Sequence, residues 1–425
     1  MEIPAQFGPS NAESRWIARL THPSMQALIE EVWENNPNLR QMAAQLDAAR
    51  AEARRAGSTL QPQLNAGIEA SRQDTPIAEG FRIRESRYTL SGQASWEIDL
   101  WGRNRAGRDA AEARLEASQA DYEAARLALA ANAVLLWIEL AESHAQNQLA
   151  EQSLTNLETS EAIVANRFEA GLASALDLRL ARTSTAAARN QWTQRQRQQD
   201  GLKRALETLL GRYPSARMEA SEALPQLPPE LEPGIPSELL ERRPDIRAAA
   251  ARYEAAAFAY ASAQRARLPS LSLTGRAGTS SSQLNDLLQS DAFIWNLAAS
   301  LTAPVWDGGR LAAETDIARA QIQQAAEAYA ETALQAFREV ETALAAEGLL
   351  ADEESSMQVA SEEAQAAEGL ALERYERGLI PFTTVLEAQQ RSTEYQSQLL
   401  SIRSERLKNH IDLLLALGGD FLHTP

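Results

Sequence analysis

Four histidines, 58 acidic side chains and no cysteine make up the reactive inventory of this chain. The histidines are His22, His144, His410 and His423. No two of them stand at a metal-ligand spacing, and without a thiolate no cysteine-based metal site or disulfide can form. The phosphate loop G-x-x-x-x-G-K-[ST], the dinucleotide fingerprint G-x-G-x-x-G and the nucleophile elbow G-x-S-x-G are all missing from the sequence. The carboxylates are spread along helix-like stretches, where they read as solvated faces and i, i+4 partners of arginine. No catalytic residue, metal site or cofactor is expected. Two segments stand out instead: Arg-Phe-Glu-Ala-Gly-Leu at 167–172 and Arg-Tyr-Glu-Arg-Gly-Leu at 374–379. A glycine between two helical runs permits a tight reversal.

Those two segments are separated by 374 − 167 = 207 residues, and the same offset recurs along the chain. It relates Asn36-Pro37 to Arg243-Pro244, Pro62 to Pro269, Gly102-Arg103 to Gly309-Arg310, Tyr122 to Tyr329 and Leu210-Gly211 to Leu417-Gly418. One offset across separated anchors means an internal duplication. It also reads Gly308-Gly309, a conceivable phosphate cradle, as the counterpart of Trp101-Gly102 and hence as a strand-to-helix turn where glycine allows positive φ. The stretch holding Pro214, Pro225, Pro228, Pro229, Pro233 and Pro236 is a linker. The expected organisation is an N-terminal extended segment 1–22, a first repeat 23–213, a proline-rich linker 214–236, a second repeat 237–419 and a tail 420–425.

Each repeat reads as a helix, two strands and a long helical tract. The first helices are expected from about Pro23 to Arg55 and from about Ser237 to Arg267. Tyr88 to Leu100 alternates strictly, with Tyr88, Leu90, Ala94, Trp96 and Ile98 on one face and Thr89, Ser91, Gln93, Ser95 and Glu97 on the other. Leu64–Ser71, Leu271–Thr274 and Asn296–Thr302 alternate less cleanly. The segments Asp74–Glu85 and Thr279–Asp291 read as long polar loops. No proline interrupts 305–380, and Ala318, Ile322, Ala325, Tyr329, Ala333, Phe337, Val340 and Leu344 mark a helical seam. Some 65 residues of helix would reach on the order of 100 Å. A composition rich in Ala, Glu, Gln and Arg suits long packed helices.

The chain has 425 residues and a formal net charge of −17. That charge argues against a nucleic-acid partner, whose phosphates need a basic face. Met1-Glu2-Ile3-Pro4 opens without the basic and apolar regions of a signal peptide, which suits either a cytoplasmic protein or a mature end. No run of 18 apolar residues is present, so no transmembrane helix is expected. A transmembrane β-barrel stays open, because its strands carry only a weak alternating signal. Four strands cannot close a barrel alone, and an open sheet leaves reactive edges. On pattern alone the strands belong to an outer-membrane barrel wall or to a small soluble sandwich carried on a coiled coil.

The stretch Trp96-Glu97-Ile98-Asp99-Leu100-Trp101-Gly102-Arg103, its partner Pro304-Val305-Trp306-Asp307-Gly308-Gly309-Arg310, the block Arg242-Arg243-Pro244-Asp245-Ile246 and the two Arg-aromatic-x-x-Gly-Leu segments carry a resemblance. From about Trp16 to Gly419 the chain resembles the TolC-like outer-membrane efflux proteins, above all the branch serving resistance-nodulation-division pumps. The resemblance implies a mainly α fold with a β-barrel part. A homotrimer would assemble a periplasmic α-helical tunnel and one shared 12-stranded barrel in the outer membrane of a Gram-negative bacterium. Implied partners are outer-membrane lipid, a periplasmic adaptor and an inner-membrane transporter. The implied activity is that of a passive efflux duct, with multidrug export, type I protein secretion and metal efflux as client classes. A soluble periplasmic coiled-coil scaffold is the alternative from another class.

The resemblance also places residues. Gly171, Leu172, Ala173 and Ser174, with Gly378, Leu379 and Ile380, fall at adaptor-contacting tips. Arg374 and Tyr375 fall where polar links hold the periplasmic entrance shut. Glu387 falls where an acidic residue lines the constriction, and Asp177 is a second candidate ring. Thr384, the repeat partner of Asp177, is neutral where some relatives are acidic. The lipid-anchored branch begins with a lipidated cysteine; here either the anchor is missing or Met1 stands in its place.

Overall fold

The computed structural model describes residues 23–78, 81–219, 224–227 and 242–419. The expected N-terminal segment, most of the proline-rich linker and the tail lie outside the described residues. In chain order the elements are α1 (Pro23–Asn35), α2 (Pro37–Ser58), β1 (Gln63–Ala78), β2 (Phe81–Ile98), α3 (Arg103–Glu169) and α4 (Ala175–Leu209). Then come α5 (Pro244–Arg265), β3 (Ser270–Ser281), β4 (Phe293–Thr302), α6 (Arg310–Glu376) and α7 (Phe382–Ala416). The duplication is written into these bounds. Both long helices have 67 residues and both return helices have 35. Each starts and stops 207 residues after its counterpart, as 310 − 103 and 416 − 209 show.

The chain divides into two compact units, one of Met1–Met42, Tyr122–Pro244 and Ala333–Pro425, the other of Ala43–Asp121 and Asp245–Thr332. The second holds a four-stranded antiparallel sheet in the order β1-β2-β3-β4. Its register pairs Ile68 with Leu90, Trp96 with Leu273 and Leu271 with Leu301. Directly paired residues share a face, so these side chains join Leu64, Trp295 and Leu297 on one apolar surface, much of it exposed. The opposite face carries Asn65, Gln93, Thr274, Arg276 and Asn296. The first hairpin corrects the expected Asp74–Glu85 loop: β1 and β2 stay paired out to Ala78 and Phe81. Polar residues there still pair their backbones, and Asp74 accepts from Arg82 at 2.7 Å and Arg84 at 3.1 Å. Alternation vanishes where neither face is apolar, although the ladder goes on. The 279–291 segment does leave the sheet after Ser281 and forms two short 3-10 turns.

The other unit is helical. Ile29 and Val32 of α1, Val134 and Ile138 of α3, Leu206 of α4 and Ile411 of α7 meet in its largest apolar cluster. Each such burial contributes about 1.5–3 kcal/mol before chain entropy is offset. Among the described helices, α3 alone has a window apolar enough by composition to cross a bilayer. Its apolar run Ala130–Ala141 is part of this core, which explains the composition. Glu207, 3 % exposed, organises the following turn. Burial pushes its carboxyl up, but the backbone N–H groups of Ala216, Arg217 and Met218 and the Ser215 hydroxyl hold it below its ordinary value.

The expected single helix from Pro23 to Arg55 is two helices. Pro37 cannot continue a helix, and Asn36 caps α2 by accepting from the N–H groups of Asn38 at 2.8 Å and Leu39 at 3.2 Å. Its amide also donates to the Leu209 carbonyl at 2.8 Å, closing the end of α4. At the equivalent place Arg243 donates to the Ala416 carbonyl at 2.8 Å and pairs with Glu339 at 2.8 Å. Different side chains thus do one job in the two repeats. Gly211 lies beside this junction with φ +71°, and a Cβ there would sit 2.5 Å from the Asn35 carbonyl oxygen. Asn36→Ala removes a cap and leaves a carbonyl unpaired, so a loss of about 2–4 kcal/mol is expected. A thermal unfolding midpoint unchanged from wild type would refute this role.

Candidate functional site at the paired helix turns

The two glycine segments fold alike because their sequences do. In the first, the Leu172 N–H donates to the Arg167 carbonyl at 2.7 Å and the Gly171 N–H to the Phe168 carbonyl at 2.9 Å. In the second, Leu379 donates to Arg374 at 2.9 Å and Gly378 to Tyr375 at 2.8 Å. Both glycines have φ +75°. This double bond with a left-handed glycine is the Schellman stop. An L side chain at either glycine would be strained.

The chain then re-enters a helix by two different routes. Ser174 caps α4: its hydroxyl accepts from the Asp177 N–H at 3.1 Å, and the Asp177 carboxylate accepts from the Ser174 N–H at 3.1 Å. This reciprocal box satisfies two orphan donors. Asp177, read from sequence as a candidate ring acid, has its carboxylate held in this cap. In the second repeat Pro381 occupies the cap position and offers no side-chain hydrogen bond. There Phe382, 1 % exposed, and Val385, fully buried, anchor the start of α7.

These two residues pack with Val164, Ala181, Ala371 and Tyr375 in one apolar cluster, which draws the two turns together. The Tyr375 ring lies 5.3 Å from that of Phe382. Its hydroxyl is buried without a hydrogen-bond partner. Burial pushes its phenol up, against the nearby Arg167 cation. Arg167 is the residue that sequence reasoning missed. Its guanidinium lies 4.9 Å from the centre of the Tyr375 ring and donates to the Glu376 carbonyl at 2.9 Å. It therefore closes the end of α6 from the first turn, joining a cation–π contact to a cap. The signal was available: the two segments begin with the same arginine.

The remaining residues named from sequence are exposed. Gly171, Leu172, Ser174, Gly378 and Leu379 form the outer surface of the turns, with Ala173 and Ile380 half-buried beneath them. Arg374, Thr384 and Glu387 point outward, and the Arg374 and Glu387 side chains make no hydrogen bond or ion pair with another described residue. Tyr375 and Phe382 are brought together; Arg374 and Glu387 are not. Ion pairs tie the return helices alongside their partners: Arg189 to Glu158 at 2.6 Å, and Arg403 and Arg406 to Glu354 at 3.0 and 3.1 Å.

Residues 28–212 and 235–419 each match the family described as outer membrane efflux protein. The chain is similar to the toluene efflux pump outer membrane protein TtgF of Pseudomonas putida, 34% identical over 413 residues, covering 96% of this chain and 86% of the relative. It is similar also to the cation efflux system protein CusC of Escherichia coli, 29% identical over 432 residues and covering 99% and 94%. Among solved structures, the outer-membrane channel OprN superposes with a TM-score of 0.91 at 26% identity, over 97% of this chain and 96% of that one.

Arg167→Met strips the cap from Glu376 and the cover from Tyr375, and is expected to lower stability by about 1–2 kcal/mol. Tyr375→Phe, which removes a hydroxyl with no partner, is expected to cost less than about 0.5 kcal/mol. Denaturant unfolding of both variants checks the pair; the reverse ranking would overturn this account of the turns.

Proposed function

Because the chain belongs to the outer membrane efflux protein family, we propose that its paired glycine turns form the gated inner mouth of a passive exit duct. The chain is an outer-membrane efflux channel of the tripartite kind, with a periplasmic helical tunnel. Members of the family work as trimers with an adaptor and an inner-membrane pump. The observation that carries the reading is the sheet: one face is apolar, the other polar, and among the described residues β1 and β4 have no further neighbour. In lipid every backbone group must be paired, so such a sheet has to be completed by other copies.

Three chains would supply twelve strands, and three pairs of turns would ring the inner end of the tunnel. In that ring Glu387 supplies three carboxylates around one axis, a site that favours cations. Arg374, whose side chain makes no hydrogen bond or ion pair among the described residues, supplies a link to the neighbour that keeps the ring closed. Tyr375, Thr384 and Asp177 complete the gate, Tyr375 and Asp177 by holding the turns in shape. Gly171, Leu172, Ala173, Ser174, Gly378, Leu379 and Ile380 present the end surface on which a periplasmic adaptor docks, and a transporter of the resistance-nodulation-division type drives the cargo. The cargo is small molecules chosen by that transporter, in keeping with relatives whose names span toluene and cations.

Two single-channel measurements in planar bilayers test the mouth. Glu387→Ala is expected to weaken block by divalent or trivalent cations at least several-fold; unaltered block would remove Glu387 from the constriction. Arg374→Ala is expected to raise resting conductance, and a pore as closed as wild type would remove it from the gate.

A further inference from the structure

The distal part of the first hairpin sorts its charges by face. The register of β1 against β2 is unbroken from Gln63–Ser95 to Pro76–Arg82, so the even-numbered residues of both strands share one face throughout. Nearest the helices that face is apolar, with Leu64, Ile68, Leu90 and Trp96 all exposed. Beyond the Ala70–Tyr88 pair the same face carries Arg72, Asp74, Arg82 and Arg84. Three arginines thus stand against one aspartate, in a chain whose formal net charge is −17. Asp74 is shared by Arg82 and Arg84, whose side chains stay 56 % and 68 % exposed. Arg72 is exposed, and its side chain makes no hydrogen bond or ion pair among the described residues. The opposite face is balanced at this level, where Arg87 pairs with Glu85 at 2.9 Å. On the second hairpin the apolar face ends on Thr279 and Phe293, with no basic residue.

Height along the strand gives this patch its meaning. β2 joins α3 beyond Ile98, at the periplasmic end, so the hairpin tips face the exterior. Trp96, whose indole donates to the Leu60 carbonyl at 3.0 Å, stands at the inner rim of the apolar face. Trp96 and Arg84 are 96 − 84 = 12 residues apart on one strand. At about 3.4 Å per residue and a tilt of about 40°, that separation is roughly 30 Å of height, against an apolar band of about 25 Å. Tyr88 then falls near the outer rim of the band, and Arg72, Arg82 and Arg84 fall at the level of the outer headgroups. A guanidinium that leaves its chain unneutralised at that level calls for an anion from the lipid, and its planar fork matches phosphate oxygens two at a time.

We propose that Arg72, Arg82 and Arg84 bind the headgroup phosphates of the outer-leaflet glycolipid, lipopolysaccharide, with its acyl chains laid against Ile68 and Leu90. The proposal rests on the apolar face being the lipid-facing wall of the shared barrel, and adds to that wall a specific lipid site. Asp74 spaces Arg82 and Arg84 and offsets one of the three charges. A trimer carries three such sites, each on a first hairpin, and none on the second hairpins.

Full-length protein in detergent, titrated with fluorescently labelled lipopolysaccharide, tests the site. Arg72→Gln/Arg82→Gln/Arg84→Gln is expected to bind about tenfold more weakly, whereas Arg87→Gln on the opposite face stays within about twofold of wild type. Asp74→Asn releases two arginines and is expected to bind several-fold more tightly, a gain that a merely structural ion pair would not give. Arg72→Glu is expected to weaken binding several-fold by itself, and decides the matter if the triple variant fails to form trimers. Unlabelled lipopolysaccharide is expected to compete; the same lipid stripped of its headgroup phosphates, phosphatidylglycerol at equal phosphate and inorganic phosphate are not. Wild-type affinity in the triple variant or in Arg72→Glu, equal loss in Arg87→Gln, or equal competition by phosphatidylglycerol or inorganic phosphate overturns the site. If the same protein conducts in planar bilayers, the duct stands without it. A wild-type protein that stays in solution without detergent and forms no channel overturns both.

Discussion

A backbone amide in hydrocarbon has no water to bond, so an unpaired strand edge there is worth several kcal/mol against folding for each group. Among the described residues four strands form one sheet, and the outer sides of β1 and β4 have no partner. That debt of hydrogen bonds sets the rest of the architecture. On the function proposed above, other copies of the chain complete the sheet. The apolar and polar faces of the sheet then become outside and inside, with no separate instruction in the sequence.

The helical unit obeys the same logic by repetition. Two repeats give two hairpins of matched length. The repeats have since diverged at points where chemistry could be exchanged without loss of geometry. Asn36 and Arg243 both close the end of a return helix, one as a neutral amide and the other as a cation paired with Glu339. Arg167 donates to the Glu376 carbonyl, whereas the Arg374 side chain makes no hydrogen bond or ion pair among the described residues.

Much of this was legible from sequence. The constant offset gave the duplication, and strict alternation from Tyr88 to Ile98 gave the strand that organises the sheet. The distal part of the first hairpin was not legible, because Asp74, Arg82 and Arg84 pair across strands without an apolar face to betray them. The break at Asn36 was missed because apolar spacing continues across it, although Asn-Pro is a cap followed by a helix start. At the turns the glycine reversals were readable as local chemistry. The reach of Arg167 to Tyr375 joins residues 208 positions apart and needs the packing of the hairpins to appear. The capping role of Asp177 was not legible because a capping box leaves little trace beyond Ser-x-x-Asp.

One asymmetry has thermodynamic weight. The first turn starts its return helix on a polar box, Ser174 with Asp177, while the second starts on buried Phe382 and Val385 beneath an uncapped Pro381. Hydrogen bonds of the first kind change little with temperature, but apolar burial carries a large heat-capacity change and weakens on cooling. The cluster of Phe382 and Val385 also holds Val164 and Ala181 of the first hairpin, so its weakening on cooling is felt by both turns, while the Ser174–Asp177 box still holds the start of α4.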